Sequence, residues 1–123
     1  VARPSEEIAM REIKAYVRPG LLETIIKRLE DAGAKDLTVI RVDALGALVD
    51  YEAERTHLFR KYAEKYGKIA KVEIVCRDDQ AGPFAQIIRE AGHLGESGDG
   101  RIFITTIEAA INIRTGSEGE DAL

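Results

Sequence analysis

IKAYVRPGLLETIIKRLEDAGAKDLTVIRV, residues 13–42 of a 123-residue chain, reads as strand, helix and strand. Ile13, Ala15 and Val17 alternate with Lys14, Tyr16 and Arg18, the period-two pattern of a strand with one buried face. Pro19-Gly20 ends it. Leu22, Ile25, Ile26 and Leu29 then recur at three- and four-residue steps, an amphipathic helix of about three turns, and Gly33 follows where a helix C-terminal glycine belongs. Residues 37–42 are few and rich in β-branched side chains, a second strand.

The pattern repeats downstream. Val72, Ile74 and Cys76 alternate with Lys71, Glu73 and Val75, a third strand over 71–76. Asp78, Asp79 and Pro83 mark the start of a second helix with Phe84, Ile87, Ile88 and Ala91 on its apolar face and Gly92 at its close. Residues 101–105 form a fourth strand and 110–114 a further short one. Both helices carry a central Ile-Ile pair, Ile25-Ile26 and Ile87-Ile88, and end in Ala-Gly, Ala32-Gly33 and Ala91-Gly92. The order βαββαβ predicts an α+β, ferredoxin-like split βαβ fold with an antiparallel sheet and an extra C-terminal strand. Both helices then lie on one face. The other face is wet or covered by a neighbouring subunit, and Tyr16 and Val75 on it favour a neighbour.

Length and composition agree with one domain spanning 10–116. The chain is 45% hydrophobic and 33% charged, enough for an ordinary core. A net charge of -4 and a pI near 5.3 give no global field for nucleic acid or anionic lipid. The single cysteine, Cys76, excludes an intrachain disulfide. No apolar run approaches the roughly 20 residues that cross a bilayer, and residues 1–9 lack the apolar core of a signal peptide. The expected location is the cytoplasm, without direct membrane insertion. Residues 1–9 read as an N-terminal extension or cloning remnant, and 117–123 as an acidic, mobile tail.

Residues 43–68 are too many for an ordinary connection, and insertions of this length in compact domains are usually functional. Helix formers dominate 51–66, where Leu58, Tyr62 and Tyr66 fall at four-residue intervals beside Phe59. The stripe either docks on the sheet or forms a partner-binding arm. Arg55, Arg60, Lys61, Lys65 and Lys68 alternate with Glu52, Glu54 and Glu64, a solvated mixed-charge face rather than a nucleic-acid contact.

Chemistry concentrates near the C-terminus. In Gly95-Glu96-Ser97-Gly98-Asp99-Gly100-Arg101, glycines expose backbone N–H groups as a phosphate site requires, and Arg101 and Arg114 supply charge-assisted contacts to phosphate oxygens. The competing reading is a glycine-rich hairpin turn. Cys76 belongs to the core. His57 and His93 lack a partner at metal-ligand spacing, so no metal site is expected. Asp78-Asp79 read as helix-capping residues. No Ser-His-Asp, Cys-His or Walker-type arrangement supports catalysis, so the chain is not expected to be an enzyme.

Gly98-Asp99-Gly100-Arg101-Ile102-Phe103 and, further on, Ile113-Arg114-Thr115-Gly116 resemble the two C-terminal signatures of the PII signal-transduction proteins. Leu37-Thr38-Val39 and Lys71-Val72-Glu73-Ile74-Val75 fall where that family has its second and third strands, and the likeness runs over 10–119. The resemblance implies a homotrimer with adenine nucleotides (ADP, AMP or ATP, with Mg as a companion) in clefts between subunits. It also implies that the long loop engages a target protein, such as a membrane transporter. By position, Gly98, Asp99, Gly100 and Arg101 correspond to the phosphate loop and Arg114 to one of two C-terminal arginines. Thr38, Glu73 and Val75 match the adenine pocket, and Gly46 matches the loop glycine near the phosphates.

Several positions depart from the pattern. Asn112 replaces the second arginine and Glu96 a lysine, which favours a less charged nucleotide than the triphosphate. Leu48 stands for a glutamine and Ile69 for a lysine that serve 2-oxoglutarate, and Tyr51 is no secure counterpart of the modified loop tyrosine. The expected function is a divergent PII-like, nucleotide-responsive regulator without 2-oxoglutarate sensing. The alternatives are a similar trimer binding another anion or a metal ion, and a small enzyme acting on a phosphorylated substrate.

Overall fold

The computed structural model describes residues 9–46 and 67–123. The helix expected over 51–66, together with Leu48, Tyr51 and His57, lies outside the described residues, as do residues 1–8. The elements are β1 (Met10–Val17), α1 (Leu22–Asp31), β2 (Thr38–Ala44), β3 (Gly67–Arg77), α2 (Asp78–Gly92) and β4 (Arg101–Thr106). The four strands form one sheet in the order β2-β3-β1-β4, every pair antiparallel. This is the expected ferredoxin-like α+β arrangement.

Alternation decides which face each strand buries. Ile13, Ala15 and Val17 of β1 and Val72, Ile74 and Cys76 of β3 enter one core with Leu22, Ile25 and Leu29 of α1 and Phe84 and Ile88 of α2. The helices contact each other over that face. Gly33, at φ +97°, closes α1. The Ala34 N–H donates to the Leu29 carbonyl and the Gly33 N–H to that of Glu30, a double closure that uses two otherwise unpaired helix carbonyls.

Three local readings change. β3 begins at Gly67 rather than Lys71, because Gly67–Ala70 continue the ladder opposite Arg41–Ala44. Asp78 and Asp79 occupy the first turn of α2 instead of capping it. They pair with Arg11 and Arg77, while Gln80 accepts the Arg77 N–H at 3.0 Å. Residues 110–114 form no strand of the sheet. They carry one antiparallel bridge, Ile111 with Glu118, and Ile113 is fully exposed, so nothing rewards extension of a ladder. The tail expected to be mobile ends in a 3-10 turn, Gly119–Ala122. Among the described residues no helix is long and apolar enough to cross a membrane.

Candidate functional site

The connection from α2 to β4 is a turn built around one carboxylate. Gly95, Gly98 and Gly100 take φ of +85°, +95° and +115°, the region that favours glycine. Gly100 has a second constraint, since a Cβ there would sit 1.8 Å from the Tyr16 carbonyl oxygen at the end of β1. The close approach lets β4 begin beside Tyr16, its register partner at Arg101.

Asp99 organises this turn. Its carboxylate accepts the Leu94 and Gly95 N–H groups at 3.1 and 2.9 Å, and Arg18 donates to it through Nε and Nη2 at 3.3 and 3.0 Å. Arg18 Nη2 also donates to the Ser97 carbonyl at 3.0 Å. Burial opposes ionisation of Asp99. The hydrogen bonds from Gly95, Arg18, Leu94 and Glu96 outweigh it and hold the carboxyl at about 2. The side chain therefore fixes the loop from inside, and the arginine that pairs with it sits 81 positions earlier in the chain. Sequence reasoning missed Arg18, which precedes Pro19 and carries no local sign of a distant partner.

Arg101 opens β4 and is exposed. Arg11, Arg18, Arg28 and Arg77 have carboxylate partners. Among the described residues, Arg101 and Arg114 have none. Arg114 rides on a turn organised by Asn112, whose Oδ1 accepts the N–H groups of Arg114 and Thr115 at 2.9 and 3.1 Å. The Gly116 N–H closes the turn on the Asn112 carbonyl at 2.7 Å. An asparagine bonding backbone two and three residues ahead is a turn signal. It was legible in Asn-Ile-Arg-Thr-Gly, where sequence reasoning recorded only a lost charge.

The remaining expected site residues lie elsewhere on the sheet. Thr38 and Glu73 are direct register partners on the face away from the helices, and Val75 follows Glu73 on that face. Glu73 accepts from Lys71 Nζ at 2.8 Å, and the Lys71 ammonium stands 5.6 Å over the Tyr16 ring. The hydrogen bond to Glu73 raises the Lys71 pKa above its ordinary value against an opposing desolvation. Gly46, at φ +82°, follows the far end of β2. Thr38 and Arg101 belong to opposite edge strands, three strand spacings or about 14 Å apart. One chain thus gathers Gly98–Arg101 at one edge and Thr38, Glu73 and Val75 towards the other.

Ile40, Val75 and Phe103 are exposed on that same open face at 37%, 37% and 48%. Phe103 meets Tyr16 edge-on with centroids 6.1 Å apart. Ile69, opposite Val42, is 5% exposed and offers no charge there. Cys76 is buried in the core and its burial pushes the thiol pKa up, so it is a poor nucleophile. Beside the Gly98–Arg101 turn, a cleft of about 360 Å3 opens between α2 and β4.

A sequence profile described as Nitrogen regulatory protein P-II matches residues 10–117. The chain is 32% identical over 116 residues to a nitrogen regulatory protein P-II of Azospirillum brasilense, covering 93% of this chain and all of the relative. The fold is similar to that of a GlnK-ATP complex of B. subtilis, with a TM-score of 0.76 and 27% identity over 94% of this chain and 96% of the other. It is also similar to Arabidopsis thaliana PII bound to citrate, with a TM-score of 0.75 and 27% identity over 96% and 95% of the two chains.

Proposed function

Because the chain belongs to the nitrogen regulatory protein P-II family, we propose that it is a cytoplasmic, non-catalytic regulator that binds adenine nucleotide in clefts between the subunits of a homotrimer. The observation that carries this reading is the Gly98–Arg101 turn. The Asp99 carboxylate within it ties the turn back to the Leu94 and Gly95 N–H groups, its conformation requires glycine at Gly100, and Arg101 beside it has no carboxylate partner among the described residues. The ATP complex of the B. subtilis relative supports an adenine nucleotide as the ligand.

The distribution of residues supports a shared site. Gly98–Arg101 and the group Thr38, Glu73 and Val75 are separated across the sheet, so a second copy completes what one chain leaves divided. The exposed Ile40, Val75 and Phe103 give that copy an apolar surface to cover. Glu96 and Asn112 stand where the family resemblance expects cations, which lowers the attraction for a third phosphate. ADP or AMP is therefore favoured over ATP, and Mg is a dispensable companion. The apolar, buried Ile69 argues against a 2-oxoglutarate site.

Residues 43–68 are the proposed contact to a target protein, such as a membrane transporter. Gly46 links that segment to the nucleotide, so ligand should alter its hydrogen exchange. Calorimetric titration with ATP, ADP and AMP tests the reading. Binding of ADP or AMP at least as tight as that of ATP is expected. No binding of any of the three overturns it.

A further inference from the structure

We propose that residues 117–123 are a strap that, acting through Asn112, holds Arg114 in position for the phosphates of the bound nucleotide. The inference rests on the nucleotide reading above and deepens it by giving the C-terminal segment a positioning role in that site.

Residues 110–119 form a closed loop with Arg114 near its tip. The Gly119 N–H donates to the Ala110 carbonyl at 3.0 Å and the Asn112 N–H to that of Ser117 at 2.9 Å, with Ile111 bridged to Glu118 between them. Ile113, Arg114, Thr115 and Gly116 lie beyond these rungs, and Gly116 takes a φ of +77°, as a tight return does. The returning limb is the start of the tail.

Asn112 joins tip to tail. Its Oδ1 accepts the Arg114 and Thr115 N–H groups, its carbonyl accepts the Gly116 N–H, and its Nδ2 donates to the Ala122 carbonyl at 3.5 Å. One amide thus serves both partners, and it cannot turn without giving up the tip or the tail. Arg114 has no carboxylate partner among the described residues, so the order of the tip comes from Asn112 and what Asn112 holds.

The far end of the tail is seated on the body of the domain. Gly119–Ala122 form a 3-10 turn, closed by the Leu123 N–H on the Glu120 carbonyl at 3.1 Å. Glu120 and Leu123 line a cleft of about 180 Å3 with Lys35 and Asp36 of the α1–β2 connection and with Val75 and Arg77 of β3. Leu123 is 38% exposed, so most of its surface is covered, and covering an apolar side chain fixes the end of an otherwise acidic segment. The strap therefore runs from the Arg114 tip through Asn112 to β3. Such ordering before binding lowers the entropic cost of capturing a ligand.

The tail also adds ordinary packing, and the experiment separates the two roles. Wild type, a variant lacking residues 120–123, Leu123→Asp and Leu123→Met are compared, each with Arg114 intact and combined with Arg114→Gln. Calorimetry uses whichever of ATP, ADP and AMP binds wild type most tightly, and thermal unfolding and ligand-free amide exchange are recorded for each protein. Loss of residues 120–123 and Leu123→Asp are each expected to weaken nucleotide about threefold to tenfold and to speed exchange at Arg114 and Thr115, with Leu123→Met close to wild type. In the Arg114→Gln background the same tail changes should alter affinity by less than about twofold, because a strap that acts through Arg114 has nothing left to position. Full additivity in that cycle, unchanged exchange at Arg114 and Thr115, or an effect on unfolding temperature alone refutes the strap. If wild type binds nucleotide and either Arg114→Gln or both tail variants bind it equally well, this inference fails and the nucleotide reading stands. If wild type binds none of the three nucleotides, both fail.

Discussion

Replacing Asp99 with Asn keeps the shape of the side chain and removes the charge around which the α2–β4 turn is built. The carboxylate accepts two backbone N–H groups and two Arg18 donors, and the Arg18 side chain is only 11% exposed. The amide retains one acceptor oxygen and turns a donor toward Arg18. A carboxyl lowered from 3.8 to about 2 is worth about 2 kcal/mol to the folded state at neutral pH. Solvent at the remaining 24% exposure of Asp99 trims this, so about 1–2 kcal/mol is expected for Asp99→Asn. The sign of the pH dependence follows from a folded-state pKa below the unfolded one. The stabilisation is complete above the ordinary carboxylate range and disappears as the pH falls through about 2. Urea unfolding of both proteins at equal concentration, from pH 7 down to about pH 2, should show a gap that closes with acid. Equal stability at pH 7, or a gap that persists unchanged at pH 2, would refute the assignment of Asp99 as the ionised centre of the turn.

Four further outcomes follow from the same geometry. Gly100→Ala places a methyl group against the Tyr16 carbonyl at an unfavourable φ, and should cost about 2 kcal/mol or more in unfolding measurements together with nucleotide affinity. Arg101→Gln and Arg114→Gln should leave the unfolding temperature within a degree or two, since neither has a carboxylate partner among the described residues, yet each should reduce ADP binding about tenfold or more by calorimetry. Asn112→Ala removes the acceptor for two backbone N–H groups and should destabilise the 112–117 turn by about 1–2 kcal/mol, seen as faster hydrogen exchange at Arg114 and Thr115. Phe103→Asp puts a charge on the open sheet face next to Tyr16 and should convert an assembled species to monomer in light scattering; an unchanged mass would remove this face from the assembly.

The legible parts of the fold are those where one face alone is buried. In β1 and the second half of β3 the alternation of Ile13, Ala15, Val17 and Val72, Ile74, Cys76 is the imprint of a core on one side. The start of β3 was hidden because Ile69 and Ala70 are both buried on opposite faces, which erases alternation. Residues 110–114 look like a strand by composition, but the Asn112 side chain satisfies the backbone locally and wins over β propensity. Within the candidate site, the glycine turn was readable because its backbone conformation is a local property. The Arg18 to Asp99 link was not, since only folding brings the end of β1 against the α2–β4 turn.

The most direct test is site-resolved amide hydrogen exchange of the wild-type protein with and without saturating ADP. Protection should rise at residues 98–101 and 114–116, where the glycine turn and the Asn112-organised loop present their backbone and arginines. Unchanged exchange in both segments, or protection confined to other parts of the sheet, would contradict a nucleotide site at the Gly98–Arg101 turn.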